Sequence, residues 1–438
     1  MNPPIVRLFG LVVLLFGVLI AFTSRWTVFE AQALRKNTAN HRVLLAEERI
    51  KRGVIRAADG SLLAGSRPID AERFARRYPT GDLFAHPVGY FSIDRGRTGL
   101  EEYYNDPLSG RATDAVGALT SLLGPQKVGD DLKTTLSPAG QKAAYAGLAG
   151  RNGAVVALDV HTGAVLALAA TPSFDPAKPA DASTFNRATQ GRYPPGSTFK
   201  TVTAAAALDS GRYQPGSQVS GANHKVISGA PLDNFGGETF GNIDLTTALT
   251  HSVNTVWAEV GEKLGKQTMA DYMRKFGFYA DPPMDYPDRQ MNPSGEYRNG
   301  RLLGPTSRFI DVGRMAIGQD KLLVTPLQMA SVAQAIGNGG MRMEPRLVQK
   351  VLDPDGRTTD QPLPKEAGRV MSQGSADALT QMMKNVVREG TGTAAALQGV
   401  EVAGKTGTAE IDPAAGINDL WFIGFTPKVA VAVVIERQ

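Results

Sequence analysis

Apolar residues dominate the start of this chain of 438 residues, where an uncharged run covers residues 8–24 between Arg7 and Arg25. Its 17 residues are at the lower limit of the length that spans a bilayer, and the flanking arginines can reach the head groups. A buried core helix would instead carry polar positions along one face. The run therefore predicts a transmembrane anchor over residues 1–24, with a cleaved signal peptide as the alternative.

Farther along the chain, two pairs of apolar runs predict antiparallel strands that turn at residues 161–163 and at 426–427. Runs this apolar are typical of strands that are buried on both faces. Strand pairs that enclose a helical region predict an α+β domain over residues 128–438, in which an antiparallel sheet has helices on both faces. The enclosed helices are predicted at residues 197–210, 244–264, 267–276, 326–338 and 373–389.

Residues 25–127 have shorter and weaker patterns, which we interpret as a stalk and a small β-rich pedestal domain. A charged stretch after the anchor predicts the stalk, and apolar alternation on both sides of Asp59 and Gly60 predicts a hairpin. Within the large domain, a stretch rich in proline and glycine at 279–305 predicts a long loop. Such loops are usually functional or mobile.

The composition argues against several classes of function. The net charge of +5 is small for this length, and no run of Lys and Arg occurs, so nucleic acid is not an expected partner. The chain has no cysteine, and no two of its five histidines are close enough in sequence to share a helical turn. We therefore expect no metal site built on thiolates or histidines. We also expect no cofactor.

A candidate catalytic pair lies in an alanine-rich segment. Lys200 is the one charged residue between Pro194 and Leu208, and it follows Ser197 by three positions. On a helix the two residues share a face, and burial of that helix would lower the pKa of the lysine. A neutral amine beside a hydroxyl can act as the general base for a serine nucleophile. The alternative is that Ser197 only caps the helix and that Lys200 extends to water.

Two further motifs favour the catalytic interpretation. Ser252 and Asn254 belong to a Ser-Val-Asn triplet that begins 55 residues after Ser197. Lys405 begins a Lys-Thr-Gly-Thr run 153 residues after Ser252, and this run leads into the second apolar strand pair. Each motif is weak alone, but the three in this order are a specific signal.

With these motifs the chain resembles the class B penicillin-binding proteins, the monofunctional D,D-transpeptidases of cell-wall synthesis, and most of all their short actinobacterial PbpA type. The resemblance covers nearly the whole length and includes the pedestal segments 52–55 and 99–101. It implies the penicillin-binding transpeptidase fold, which serine β-lactamases share, with a helical subdomain. It also implies that the substrates are peptidoglycan stem peptides ending in D-Ala-D-Ala and that β-lactam antibiotics bind.

The same resemblance assigns catalytic roles to five residues. Ser197 would attack the carbonyl of the penultimate D-alanine, and Lys200 would take its proton. Ser252 would relay a proton to the departing D-alanine. Asn254 would hold a peptide carbonyl of the donor and contact Lys200, and Lys405 would supply positive potential.

Three residues of the last motif are expected to bind the substrate. Thr408 would bind the terminal carboxylate, and its backbone N–H would form an oxyanion hole with that of Ser197. Gly407 has no side chain, which would let the substrate backbone lie along the edge of the strand. Thr406 completes this substrate-binding set.

The resemblance further implies a single-pass protein of the cell membrane with an extracytoplasmic large domain. Its partner would be a SEDS-family membrane glycosyltransferase. In the class another helix normally follows the last strand, whereas this sequence stops at Gln438. We therefore expect the C-terminal helix to be missing from the sequence and an apolar face of the sheet to be exposed.

Two other functions compete with this interpretation. A serine β-lactamase or a β-lactam sensor shares the three motifs, but a β-lactamase must also activate water, usually with an extra carboxylate, and we can assign none. A non-catalytic scaffold of a wall-synthesis complex would not need an intact set of catalytic residues. The transpeptidase interpretation is therefore preferred.

Overall fold

The computed structural model describes residues 3–25, 30, 48–110, 128–179, 184–412 and 414–437, so most of the predicted stalk lies outside the described residues. The described α-helices are α1 (Pro3–Ser24), α2 (Ala85–Val88), α3 (Gly99–Tyr103), α4 (Asn105–Leu108), α5 (Pro138–Leu148), α6 (Lys200–Asp209), α7 (Leu245–Thr250), α8 (Asn254–Lys275), α9 (Val312–Ala316), α10 (Pro326–Gly337) and α11 (Gln373–Glu389).

The described strands are β1 (Ile55–Arg56), β2 (Leu62–Pro68), β3 (Phe74–Arg77), β4 (Phe91–Ser92), β5 (Gly96–Arg97), β6 (Asp131–Thr134), β7 (Gly153–Asp159), β8 (Val165–Thr171), β9 (Gln218–Ser220), β10 (Lys225–Ile227), β11 (Ala230–Leu232), β12 (Asn242–Asp244), β13 (Gly295–Arg298), β14 (Arg301–Leu302), β15 (Leu322–Leu323), β16 (Met341–Met343), β17 (Val348–Leu352), β18 (Thr358–Asp360), β19 (Glu366–Arg369), β20 (Ala403–Asp412), β21 (Ile417–Phe425) and β22 (Val429–Ile435).

The central sheet of the large domain is antiparallel, with the strand order β20-β21-β22-β7-β8. Both hairpins expected from the apolar runs are present, as β7-β8 and β21-β22. Along β7, Ala154 and Val156 pack into the core that contains α10, whereas Val155 and Ala157 pack against α5. The predicted α+β fold, a sheet with helices on both faces, is confirmed.

On the face that carries α5, alternate residues of β22 are only half-buried. These residues are Val429, Val431, Val433 and Ile435. Along this central strand, the face that carries α5 is therefore less completely covered than the opposite face, where Ala430, Ala432 and Val434 are fully buried.

The helix predicted over residues 244–264 is interrupted. α7 ends at Thr250 and α8 begins at Asn254, because Ser252 adopts a left-handed backbone conformation with a φ of 59°. α8 then continues to Lys275 across a non-helical glycine, Gly265. Because of this break, the carbonyl group of Ser252 does not belong to a continuing helix. It instead accepts a hydrogen bond from Lys200, which is described below.

The pedestal contains a sheet with the strand order β18-β17-β6-β1-β2-β3, in which β1 and β6 are parallel. The hairpin expected around Asp59 and Gly60 is present as β1-β2. β6, β17 and β18 follow residue 127 in the chain, so this sheet also draws on sequence that we assigned to the large domain. The domain boundary at residue 127 stays a prediction.

The proline-rich stretch at 279–305, which we predicted to be one long loop, ends in the hairpin β13-β14, and the loop before this hairpin is bound to other parts of the chain. The carboxylate of Asp285 accepts hydrogen bonds from the backbone N–H groups of Leu347 and Val348 at 2.6 and 2.8 Å, and from the hydroxyl of Tyr104 at 3.0 Å. The side chain of Gln290 accepts the N–H of Gly99 at 3.0 Å. Through these bonds the loop joins the large domain to the pedestal, a structural role that its sequence pattern did not indicate.

Candidate active site

Ser197 lies in a short 3-10 turn, Gly196–Phe199, that leads directly into α6. Gly196 has a φ of 52°, and a Cβ at this position would lie 2.6 Å from the carbonyl oxygen of Thr408. Only glycine fits such a close approach with this backbone conformation. The turn therefore brings the half-buried Ser197 next to the strand that carries the Lys-Thr-Gly-Thr motif.

Lys200 is fully buried at the start of α6 and connects two of the motifs. Its Nζ donates to the carbonyl oxygen of Ser252 and to Oδ1 of Asn254, both at 2.6 Å, and lies 3.2 Å from Oγ of Ser252. None of these bonds joins Lys200 to Ser197. Bonds between catalytic groups often tighten only in the substrate complex, so the geometry is compatible with proton transfer between the two.

Two buried amines dominate the electrostatics of the site. Burial lowers the pKa of Lys200 well below its usual value, and the charge of Lys405 lowers it further. Lys405 is also fully buried, and burial lowers its pKa to about 7. Among the described residues, the hydrogen bonds of both amines go to carbonyl, amide and hydroxyl oxygens and not to a carboxylate. An amine in this environment can be neutral near pH 7 and act as a base.

The Ser-Val-Asn segment is held by the loop that contains Asp233 and Asn234, of which sequence reasoning did not single out Asn234. Nδ2 of Asn254 donates to the carbonyl oxygen of Asp233 at 3.1 Å. Oδ1 of the buried Asn234 accepts the N–H of Thr255 at 3.0 Å, and so caps α8, whose own N-cap residue Val253 has no polar side chain. An asparagine within a glycine-rich loop has no sequence signal for this role, because its partner lies 21 residues away.

β20 lies at the edge of the central sheet and packs against the turn that carries Ser197. A Cβ at Gly407 would lie 2.8 Å from the carbonyl oxygen of Pro195 and 2.9 Å from Cγ2 of Thr198. Glycine is therefore needed at position 407 because the turn that carries Ser197, here called the nucleophile turn, packs against it. The sequence had suggested a different reason, which was room for the substrate backbone.

The two threonines of the motif have different surroundings. Oγ1 of Thr406 lies 2.6 Å from Oγ1 of Thr391, a residue that sequence reasoning did not single out. Thr408 is exposed. A third residue that the sequence did not reveal is Trp421, whose indole N–H donates to the carbonyl oxygen of Pro194 at 2.9 Å.

Comparisons with known families agree with this geometry. Residues 153–438 match the family model of the penicillin-binding protein transpeptidase domain. Residues 52–132 match that of the penicillin-binding protein A dimerisation domain. The chain therefore belongs to the penicillin-binding protein transpeptidase family.

Individual relatives place the chain close to one type within that family. It is 34% identical to the peptidoglycan D,D-transpeptidase PbpA of Mycolicibacterium smegmatis, over 100% of this chain and 94% of that protein. PbpA of Mycobacterium tuberculosis is 34% identical over the same shares of the two chains. The solved structure of M. tuberculosis penicillin-binding protein A as a ceftriaxone acyl-enzyme complex is 32% identical, with a TM-score of 0.80 over 90% of this chain and 94% of that chain. The resemblance to the PbpA type is confirmed.

Proposed function

We propose that this protein is a serine D,D-transpeptidase that cross-links peptidoglycan stem peptides and is acylated by β-lactam antibiotics. The observation that carries the proposal is the buried Lys200, which is hydrogen-bonded to Ser252 and Asn254 and lies one helical turn from Ser197. Relatives named peptidoglycan D,D-transpeptidase, and a similar structure described as a β-lactam acyl-enzyme complex, support the same chemistry.

In the first step, Oγ of Ser197 attacks the carbonyl carbon of the penultimate D-alanine while the neutral amine of Lys200 takes the hydroxyl proton. The backbone N–H groups of Ser197 and Thr408 stabilise the oxyanion that forms. Collapse of the intermediate breaks the peptide C–N bond, and the proton passes from Lys200 through the hydroxyl of Ser252 to the leaving amino group. The separation of 3.2 Å between Lys200 Nζ and Ser252 Oγ suits this transfer.

In the second step, the amino group of a neighbouring stem peptide attacks the ester on Ser197. The new amide bond forms, the ester C–O bond breaks, and the proton of the amine returns to Ser197. Asn254 holds a carbonyl of the donor peptide in both steps. The positive charge of Lys405 favours the terminal carboxylate of the donor only before the first step, because that carboxylate leaves with the terminal D-alanine.

Substrate binding is completed along the edge of β20. Thr406 and Gly407 line the strand beside the donor peptide, and the hydroxyl of Thr408 binds the terminal carboxylate. In a β-lactam the broken C–N bond belongs to the ring, so the leaving amine stays attached. The whole antibiotic is then retained as an ester on Ser197.

The proposal extends to location, domains and partner. α1 is long and apolar enough to cross a membrane, and none of its residues is buried against the rest of the described chain. We place it as a single-pass anchor in the cell membrane, with the stalk and pedestal over 25–127 and the transpeptidase domain over 128–438 outside the cytoplasm, where stem peptides are found. The proposed protein partner is a SEDS-family membrane glycosyltransferase, which a pull-down of the full-length protein from membranes would test.

Intact-protein mass spectrometry after treatment with penicillin G tests the catalytic proposal. We expect the full-length protein to gain the mass of one penicillin, Ser197→Ala to gain none, and Ser210→Ala to behave as the unmodified protein, because Ser210 lies at the far end of α6. A protein without an adduct, or an adduct that survives Ser197→Ala, would reject the proposal. An adduct that hydrolyses rapidly would instead identify a serine β-lactamase.

A further inference from the structure

Trp421 contacts both of the segments that carry the oxyanion-hole N–H groups, and we infer that it is a positioning residue that fixes the distance between them. The inference rests on the proposed function, since it assumes that the N–H groups of Ser197 and Thr408 stabilise an oxyanion. Trp421 lies on β21 and is 4% exposed, so it acts from behind the site and not on the substrate.

The first contact is with the strand that carries Thr408. The backbone of Trp421 is paired with Gly407 in the register of β20 and β21. A Cβ placed on Gly407 would lie 3.1 Å from Cβ of Trp421, so the two residues are in close contact on one face of the sheet. The position of the Thr408 N–H relative to Trp421 is therefore set by the strand pairing itself.

The second contact is with the turn that carries Ser197. The indole Nε1 of Trp421 donates to the carbonyl oxygen of Pro194 at 2.9 Å. The ring of Tyr193 packs edge-on against the indole, with 6.1 Å between the ring centroids and an angle of 75°. Both contacts hold the chain immediately before the nucleophile.

This turn depends on such contacts because of its composition. Pro194 and Pro195 have no backbone N–H, so neither can donate a hydrogen bond that would fix the segment. The next residue, Gly196, donates its N–H to the carbonyl of Gly318 at 3.0 Å. The indole of Trp421 therefore supplies a donor on the side of the turn that faces the sheet.

The two segments touch, so a small displacement of one changes the geometry of the hole. A Cβ at Gly196 would lie 2.6 Å from the carbonyl oxygen of Thr408, and one at Gly407 would lie 2.8 Å from that of Pro195. Without the indole N–H, the turn can slide along β20 and the two oxyanion donors lose their alignment. Misplacement of about 1 Å can lower a catalysed rate on the order of 100-fold, and we expect a smaller loss here, of about 10-fold.

The test compares Trp421→Phe with Trp257→Phe in the full-length protein. Trp257 is fully buried in α8, and its indole N–H has no hydrogen-bond partner among the described residues. Both variants remove the same atoms from a buried ring, but only Trp421→Phe removes a hydrogen bond. Penicillin G acylation is followed over a range of concentrations, which separates the maximal acylation rate constant from the concentration that gives half of it.

We expect Trp421→Phe to lower the maximal rate constant about 10-fold and to leave the half-saturating concentration within about twofold. The midpoint of its pH–rate profile should not move, because the surroundings of Lys200 are unchanged. Trp257→Phe should keep both constants within about twofold of the unmodified protein. Misaligned oxyanion donors should lower the maximal rate constant and leave the half-saturating concentration unchanged. A general loss of packing would not be confined to the rate constant.

Several results would overturn the inference. Equal rate constants for Trp421→Phe and the unmodified protein would do so, as would an equal loss in Trp257→Phe or a shifted pH profile in Trp421→Phe. An unmodified protein that is never acylated would instead reject the proposed function. If Trp421→Phe does not fold, benzothienylalanine at position 421, which has the same ring shape and sulfur in place of the N–H, gives the same comparison.

Discussion

The pedestal and the active site each bury a cluster of ionisable side chains. The charged form is favoured in the pedestal cluster and disfavoured in the active-site cluster. In the pedestal, Glu101 is fully buried and accepts hydrogen bonds from Arg52 at 3.1 Å and from Arg76 at 2.5 Å. Burial raises the pKa of Glu101, but the charges of Arg76 and Arg52 outweigh it, and the pKa stays below its usual value. In the active site, the buried Lys200 and Lys405 have their pKa values lowered.

The difference lies in how each cluster responds to desolvation. A buried charge with opposite charges at hydrogen-bond distance remains ionised, and the cluster then fixes the chain around it. A buried amine that has only neutral acceptors is driven toward its neutral form, which is the form that can take a proton. The pedestal cluster therefore stabilises the fold. The buried amines of the active site lower the stability of the folded protein, but they can take part in proton transfer.

The largest effect that tests this difference between the two clusters is expected at Lys200. Lys200→Met should lower the rate of penicillin acylation by about 100- to 10,000-fold, because the variant has no general base for Ser197. The rate is measured by quenched intact-protein mass spectrometry. Lys142→Met, which changes an exposed lysine on α5, should acylate at the normal rate. A Lys200→Met variant that acylates normally would show that the buried amine is not the base.

The next effect concerns the pedestal. Glu101→Gln should reduce the free energy of unfolding by about 3–5 kcal/mol, because it leaves two buried guanidinium groups without their carboxylate. Glu72→Gln alters a pair with Arg49 whose side chains are both more than 70% exposed, and it should change stability by less than about 1 kcal/mol. Urea unfolding measures both variants.

The pH dependence of the pedestal cluster follows from the sign of its pKa shift. The folded pKa of Glu101 is below the reference value of 4.5, so its contribution is present above that pH and is lost as the pH falls through the folded pKa. The difference between Glu101→Gln and the unmodified protein should therefore narrow in acid. Equal stability of the two proteins at neutral pH would mean that the cluster does not hold the pedestal together.

The smallest effect is a gain in the free energy of unfolding, in contrast to the loss expected for Glu101→Gln. Lys405→Met should stabilise the protein at pH 7 by about 1–3 kcal/mol, because it replaces a buried amine that has no carboxylate partner with an apolar side chain of similar length. The folded pKa of Lys405 is about 7 and the reference value is 10.5, so the unfolded chain binds more protons between these values. The stability of the unmodified protein should rise over this pH range, and the rise should be smaller in Lys405→Met.

The same variant sharpens the electrostatic account of the site. Burial is the main cause of the low pKa of Lys200, and the charge of Lys405 is a second cause. Removal of that charge should shift the pH profile of acylation to higher pH and lower its maximum. A profile that moves to lower pH, or a variant less stable than the unmodified protein at pH 7, would contradict this account.

Features that depend on neighbouring residues could be predicted from the sequence. The hairpins β7-β8 and β21-β22, the α+β class and the grouping of motifs around Ser197, Ser252 and Lys405 follow from local periodicity or motif order. The pedestal segments 52–55 and 99–101 were recognised by resemblance alone. The structure supplies a physical reason for them, since Arg52 and Glu101 form part of the buried ion cluster.

Other features depend on contacts between distant parts of the chain, so no local sequence pattern predicted them. Asn234 caps α8, and Trp421 binds Pro194, which lies 227 residues earlier. The left-handed backbone at Ser252 divides a stretch whose helical periodicity is continuous. Gly407 is glycine partly because the nucleophile turn packs against it.

The sequence by itself determined the order of the elements and the identity of the reactive groups, because the alternation of apolar and polar residues is a local property of the chain. Only the tertiary structure decided which buried charges meet a partner. Packing desolvates Glu101 and Lys200 alike, but it surrounds one with guanidinium groups and the other with neutral oxygens. That choice depends on residues far apart in the chain, and it separates a structural charge from a reactive one.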